Sequence, residues 1–229
     1  MMNPSDKGRV ARARIASYSP PSMTSACLQH LSKTDPVMRR LIRAHGACGL
    51  KPNGLRSPFE SLARAIAHQQ LNGTAANTIL RRFIKLFPGR RFPRPEDLER
   101  VDDDAIRAAG FSRAKIAALR DLAAKALDGT VPSSRVIKKL DNAEIIARLT
   151  EVRGVGQWTV EMLLIFQLGR PDVLPVDDFG IRNGFRHAYG LPELPKPKEL
   201  LAHGERWKPH RTTAAWYLWR AADRVKKKE

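Results

Sequence analysis

Two adjacent aspartates, Asp177 and Asp178, follow Leu174-Pro175-Val176 and precede Phe179-Gly180-Ile181-Arg182, a stretch apolar enough to hold a carboxylate partly away from bulk water. In that setting a carboxylate attracts a nearby positive charge more strongly than it does in solvent. An aspartate ahead of a helix is also an ordinary N-cap, and capping is expected of Asp177. Aromatic residues are scarce, yet Trp207, Trp216 and Trp219 lie close together with Tyr217 among them, and the remaining tryptophan is Trp158. Indole faces suit stacking on a base, above all a cationic one, at roughly 0.5–2 kcal/mol per contact. Trp216 and Trp219 are three apart and share a helix face, so plain core packing competes with a pocket; Trp216 is expected in the core.

Gly154-Val155-Gly156 stands between Leu149–Arg153 and the apolar run Thr159–Leu168. Two glycines around one apolar residue let a helix-to-helix turn approach a partner closely. The N–H groups that open the next helix then form a ready site for an anion. A bare Gly-x-Gly is more often a C-cap between core helices. With the flanking Leu149-Thr150-Glu151-Val152-Arg153 and Gln157-Trp158-Thr159-Val160, a phosphate backbone becomes the expected partner.

The elements that must position these groups read as helices almost throughout. Residues 1 to about 32 mix Ser, Pro and Arg around Ser17-Tyr18-Ser19-Pro20-Pro21-Ser22 and are expected to form a disordered or loosely held arm. Thr34-Asp35-Pro36 and Ser57-Pro58 are helix starts with proline in the first turn. Further helices are predicted over 74–87, 95–101, 103–109, 112–127, 142–149, 157–168, 178–189 and 212–226, with 131–140 irregular. No sustained alternation marks a strand. The expected fold is therefore all-α, about ten helices in one domain over 33–229.

Forty-one Lys and Arg against 23 Asp and Glu give a formal charge of +18, more than solubility needs and enough to attract a polyanion such as nucleic acid. Part of the surplus sits in the termini (Lys7, Arg9, Arg12, Arg14; Arg224, Lys226, Lys227, Lys228), but Arg81, Arg82, Arg90, Arg91 and Arg94 lie in the interior of the chain. Cys27 and Cys48 are too few for a four-thiolate metal site and are expected to be reduced structural thiols. No apolar run is long enough to cross a bilayer, and the Arg-rich start lacks an apolar segment, so a cytoplasmic protein is expected, nucleoid-associated or nuclear according to its host.

Taken in order, Leu149-x-x-Val152-x-Gly154-Val155-Gly156-x-x-Thr159, then Asp178, then Trp207-Lys208-Pro209-His210-Arg211 and Trp219, resemble the helix-hairpin-helix DNA glycosylases. Within them the chain is most similar to the AlkA type, DNA-3-methyladenine glycosylase II. The similarity extends upstream to Ala65-Ile66-Ala67-His68-Gln69-Gln70-Leu71 and to Gly110-Phe111-Ser112-Arg113-Ala114-Lys115, and so spans about residues 35–225.

The resemblance implies a two-lobed helical fold with the lesion pocket in the cleft. It makes Asp178 the catalytic carboxylate, and it places Trp158, Trp219 and Met162 at the base pocket. Gly154, Val155, Gly156 and Thr159 become the hairpin that grips phosphate, and Gln70 or Leu71 the wedge that fills the gap left by a flipped nucleotide. No cofactor is required, although a Na⁺ or K⁺ held by the main chain of Arg153 and Val155 is implied at the hairpin.

Trp158 stands where the bifunctional branch carries a nucleophilic lysine, so no lyase activity is expected. The four-cysteine iron–sulfur signature is lacking, and the sheet domain of the longer members is expected to be missing, since too few residues precede Thr34 to build it. The expected activity is monofunctional release of alkylated purines, 3-methyladenine first and 7-methylguanine next, from double-stranded DNA by a monomer. The alternatives are a glycosylase for deaminated or mispaired bases and a non-enzymatic hairpin protein that only binds DNA. Whether His68, His187 or His210 touches DNA is open at this level.

Overall fold

Side-chain caps set most of the helix starts. Asp35, Ser57, Asn72, Asp102, Ser112 and Asp141 each accept a hydrogen bond from a backbone N–H two or three residues on. The computed structural model describes residues 25–226, with side chains to Asp223. Its helices are α1 (Ser25–Thr34), α2 (Pro36–His45), α3 (Pro58–His68), α4 (Gly73–Lys85), α5 (Pro95–Leu98), α6 (Asp103–Ala108), α7 (Arg113–Leu127), α8 (Asn142–Thr150), α9 (Gln157–Phe166), α10 (Phe179–Tyr189), α11 (Pro197–Gly204) and α12 (Arg211–Lys226). Single 3-10 turns lie at Ile137–Lys139 and Glu205–Trp207, and there is no strand among the described residues.

The helices pack in two groups. α3 to α9 gather around α3 and α7, while α1, α2, α11 and α12 gather around α10, with α10 against α12 as the most extensive contact. One apolar core runs through both groups. The chain crosses between them twice, over 46–57 and again over 167–178, and Asp178 sits at the end of the second crossing. No helix among the described residues is long and apolar enough to cross a membrane.

Two helices were not expected. The loose arm was placed up to about residue 32, but α1 starts at Ser25 and buries Cys27 and Leu31. Its few apolar positions signal weakly in sequence, and only packing against α2 and the 205–207 turn makes them a helix. Residues 1–24, the rest of that arm, lie outside the described residues, as do the side chains of the basic C-terminal tail. α11 buries only Leu200 and Gly204, which leaves almost no apolar periodicity to read. Both cysteines are buried, and neither is in a disulfide.

Asp35 ties the second group together. One oxygen, Oδ1, accepts from the N–H groups of Val37 and Met38 at the start of α2. The other, Oδ2, accepts from the Tyr189 hydroxyl, from His203 Nε2 and from Trp207 Nε1. Trp207 is thus a core residue, fully buried, and not part of any base-stacking cluster. Burial alone would push the Asp35 carboxyl up, but the donors of His203, Tyr189, Trp207 and Met38 outweigh it and hold it well below the usual carboxylate range.

A depressed folded-state pKa contributes stability above the unfolded value and loses it as pH falls. Stability is therefore expected to decline as pH drops below about 4. Asp35→Asn sets an amide against the Trp207 N–H and should lower stability by about 2–3 kcal/mol at pH 7. Urea titrations at pH 7 and pH 3 check both points, because the variant should lose less between the two pH values than the wild type does.

Candidate active site

Asp178, not Asp177, is the N-cap of α10: its Oδ1 accepts from the Ile181 N–H at 2.8 Å. Asp177 faces solvent. The same Oδ1 accepts from Trp219 Nε1 at 2.9 Å, and Oδ2 accepts from Trp158 Nε1 at 2.8 Å. A carboxylate oxygen has two lone pairs. Oδ1 is therefore filled by its two donors, whereas Oδ2 keeps one acceptor position. The helix N-terminus and the indole N–H groups come from α10, α12 and α9, so the carboxylate is oriented from three sides.

Both indoles point their edges at the carboxylate and so present their faces elsewhere. Trp158 is 49% exposed. Trp219 is half-buried and stacks on Phe166, with ring centroids 5.6 Å apart and planes at 26°. Phe166 was not anticipated; its place at the end of the apolar α9 run reads as core. Trp216 packs at the edge of the core and carries the Arg220 guanidinium over its ring.

Close helix packing delivers Trp219. A Cβ on Gly184 would lie 1.9 Å from the Leu218 carbonyl oxygen, so α10 and α12 touch backbone to backbone there. One turn earlier, a Cβ on Gly180 would lie 3.0 Å from Trp219 Cδ1 and 3.1 Å from Asp178 Oδ1. The Gly180-x-x-x-Gly184 spacing in the sequence carried this signal.

The glycine turn joins α8 to α9. Gly154 has φ +75, a left-handed conformation that favours glycine. Val155 between the glycines is buried and plugs the turn into the core. Gly156 differs from both: its φ is −92, and a Cβ there would meet nothing within 4 Å. Nothing inside the fold requires glycine at 156, which caps α9 on an exposed face. Thr159 closes the first turn, its N–H donating to the Gly156 carbonyl.

The turn is held from behind and from the side. Asp121 of α7 accepts the Arg153 N–H at 2.7 Å and pairs with Lys125. Gln69 donates from Nε2 to the Gly154 carbonyl at 2.7 Å. Gln70, next in the chain, has φ +55, the one positive φ outside glycine among the described residues. It stands exposed at the tip of the loop between α3 and α4, and Leu71 beside it is 40% exposed. Lys115 Nζ donates to the carbonyls of Ala67 and Gln69, both at 2.8 Å, and stitches this loop to α7. The stretches 65–71, 110–115 and 149–159 thus meet as one rigid edge.

A cleft of about 500 Å³ lies between α3 and α9, floored by Leu62 and Leu163 and bordered by Trp158, Met162, Phe166 and Gln70. His68 is exposed on its α3 side. His187 is exposed and contacts Arg186, and His210 packs edge-on to His30 just ahead of α12, two turns or more before Trp219. A second cavity of about 470 Å³, beyond Arg56 and Gln167, includes none of the tryptophans.

An anion-ready glycine elbow one residue pair ahead of an indole that clamps a carboxylate, on an all-helical frame, is the arrangement of a helix-hairpin-helix protein acting on the sugar–base unit of a nucleic acid. Residues 63–210 match the HhH-GPD superfamily base excision DNA repair protein family, and the chain belongs to that family. It is 43% identical over 204 residues to DNA-3-methyladenine glycosylase 1 of Schizosaccharomyces pombe, covering 88% of each chain. Among solved structures it is similar to S. pombe Mag1 in complex with abasic DNA, with a TM-score of 0.74 over 86% of this chain and 96% of that one. It is also similar to the DNA-3-methyladenine glycosidase of Bacillus halodurans, with 36% identity and a TM-score of 0.80 over 89% and 92% of the two chains.

The glycines of α10 separate scaffold from site. Gly184→Ala must force α10 and α12 apart and should cost about 3 kcal/mol or more in stability. Gly180→Ala needs only a shift of a few tenths of an ångström, which moves Trp219 and Asp178 Oδ1. It should fold with a near-native melting temperature yet lose about tenfold in rate, checked by melting and single-turnover base release.

Proposed function

We propose that this protein hydrolyses the N-glycosidic bond of alkylated purines in double-stranded DNA, 3-methyladenine first, acting as a monomer without lyase activity and leaving an abasic site. The observation that carries the reading is the Asp178 carboxylate held by Trp158 and Trp219 beside the hairpin. A base inside the duplex stack is out of reach, so the nucleotide must first be flipped out, at a cost of a few kcal/mol. Gln70 and Leu71, on the loop that Lys115 and Gln69 pin to the hairpin, are placed to fill the gap. Phosphate contacts at Gly154, Gly156 and Thr159 offset the cost.

Alkylation at N3 or N7 makes the purine a cation and a good leaving group, so little acid assistance is needed. The faces of Trp158, Trp219 and Phe166, with Met162 at the edge, suit such a cation. As the bond to the base breaks, positive charge develops on the deoxyribose. A preorganised carboxylate stabilises that charge without having to reorient. Oδ2, the oxygen with a lone pair to spare, is the one that can face the sugar and orient the attacking water. Trp158 occupies the place a Schiff-base lysine would need, in keeping with hydrolysis alone.

A Na⁺ or K⁺ fits the hairpin by donor chemistry. The carbonyls of Val152, Gly154 and Gly156 are taken by bonds that shape the turn, and those of Arg153 and Val155 are the hard oxygens left to hold a cation. Such a cation would supply positive charge to a phosphate.

Asp178→Asn keeps an N-cap and should fold, but it removes the charge and turns an N–H toward an indole N–H. Release of 3-methyladenine from methylated DNA should fall at least about 100-fold; a folded variant with near-native release would overturn the role given to Asp178. Gly156→Ala should leave the melting temperature unchanged, since no internal contact is disturbed, while weakening binding to duplex DNA about tenfold in a titration at fixed salt.

A further inference from the structure

α9 carries a single charged residue, and it is buried. Glu161 lies one turn beyond Trp158 and is 6% exposed, on a helix whose neighbours Val160, Leu163, Leu164 and Ile165 are all core. Its carboxyl accepts one hydrogen bond, from Gln157 Nε2 at 3.0 Å. Gln157, in the first turn of the same helix, is neutral. The charges that act on Glu161 are those of Asp177 and Asp178 at the start of α10, both negative. Burial pushes its carboxyl up from the ordinary glutamate range, the Gln157 amide opposes this, and the two aspartates add to the rise.

Burying a carboxylate without a cation costs several kcal/mol. An apolar side chain at 161 would fit the rest of α9 and avoid that cost. The arrangement is therefore poor as a support for the fold. It becomes favourable when a positive charge arrives beside Trp158 and Asp178, and the reaction brings one twice, first on the alkylated base and then on the sugar.

We propose that Glu161 is a specificity-determining residue whose buried carboxylate, one helical turn beyond Trp158 on α9, biases the site through space toward positively charged nucleotides over neutral ones of the same shape. The proposal rests on the reading of the site as a glycosylase pocket. It assigns Glu161 no contact with substrate. Its counter-charge is the substrate itself, since the described residues form no ion pair with it, and its effect should scale with the charge of the bound group rather than with its size.

Two synthetic duplexes separate the charge from the shape, one with a pyrrolidine abasic analogue, cationic at neutral pH, and one with the neutral tetrahydrofuran analogue. The wild type is expected to bind the pyrrolidine duplex more tightly. Glu161→Gln should keep the tetrahydrofuran affinity and lose about tenfold of the pyrrolidine preference, the size of one pKa unit of charge interaction. Its melting temperature should be unchanged or higher. Glu161→Asp, which keeps the charge, should keep most of the preference.

Full preference retained in Glu161→Gln, equal loss in both variants, or a marked drop in melting temperature for Glu161→Gln would each overturn the proposal. A wild type that shows no pyrrolidine preference and releases no methylated base would instead overturn the glycosylase reading beneath it.

Discussion

The hydrogen bonds to Asp178 are what the rest of the structure serves. A carboxylate useful for stabilising a sugar cation must stay charged, stay oriented and keep one oxygen accessible, and these demands pull against each other. Exposure satisfies the first and loses the second; deep burial does the reverse. Here two indole N–H groups and one backbone N–H hold a half-buried carboxylate, leaving one acceptor position on Oδ2. The donors are neutral, so they orient the charge without cancelling it. An arginine in their place would have formed an ion pair and reduced the attraction for a developing cation.

Holding those donors requires three helices to converge, and the fold achieves it by close approach. α12 reaches the site because Gly184 lets it rest on α10 backbone to backbone, and Gly180 leaves the Trp219 indole room beside the carboxylate. α9 reaches it because the glycine elbow starts the helix at Gly156, which puts Trp158 in the first turn. The part of the structure suited to gripping DNA and the part suited to chemistry are therefore two residues apart. A phosphate bound at the elbow would fix Trp158 relative to the backbone and, through it, Asp178.

Much of this was legible in the sequence, for reasons that differ residue by residue. Caps at Asp35, Ser57 and Ser112 gave helix starts because a short polar side chain ahead of an apolar run has few other uses. Gly154 and Asp178 were legible as parts of an ordered motif. The choice of cap was misread between Asp177 and Asp178, because adjacent identical side chains differ only in backbone position, and one residue can both cap a helix and face a substrate. α1 and α11 were missed because their helicity depends on tertiary packing of one or two apolar side chains. Phe166 was hidden because an aromatic residue closing an apolar helix is usually core. Lys115 and Asp121 act on backbone atoms distant in sequence, which no local pattern encodes.

Charge is distributed in opposition to the overall balance. The chain carries +18, with exposed arginines along α4 and the loop after it, yet Asp177 and Asp178 at the end of the second crossing act together with the buried Glu161 of α9 as a group of negative charges. A uniformly basic surface would attract DNA but would also repel a cationic base from the pocket. A uniformly acidic one would favour the cation and repel the backbone that carries it. Separating the two resolves the conflict, because interactions with phosphates at the surface are screened by salt while those within the partly desolvated pocket are screened much less. Binding and selection of the base can then be set by different residues, and a change in one need not weaken the other.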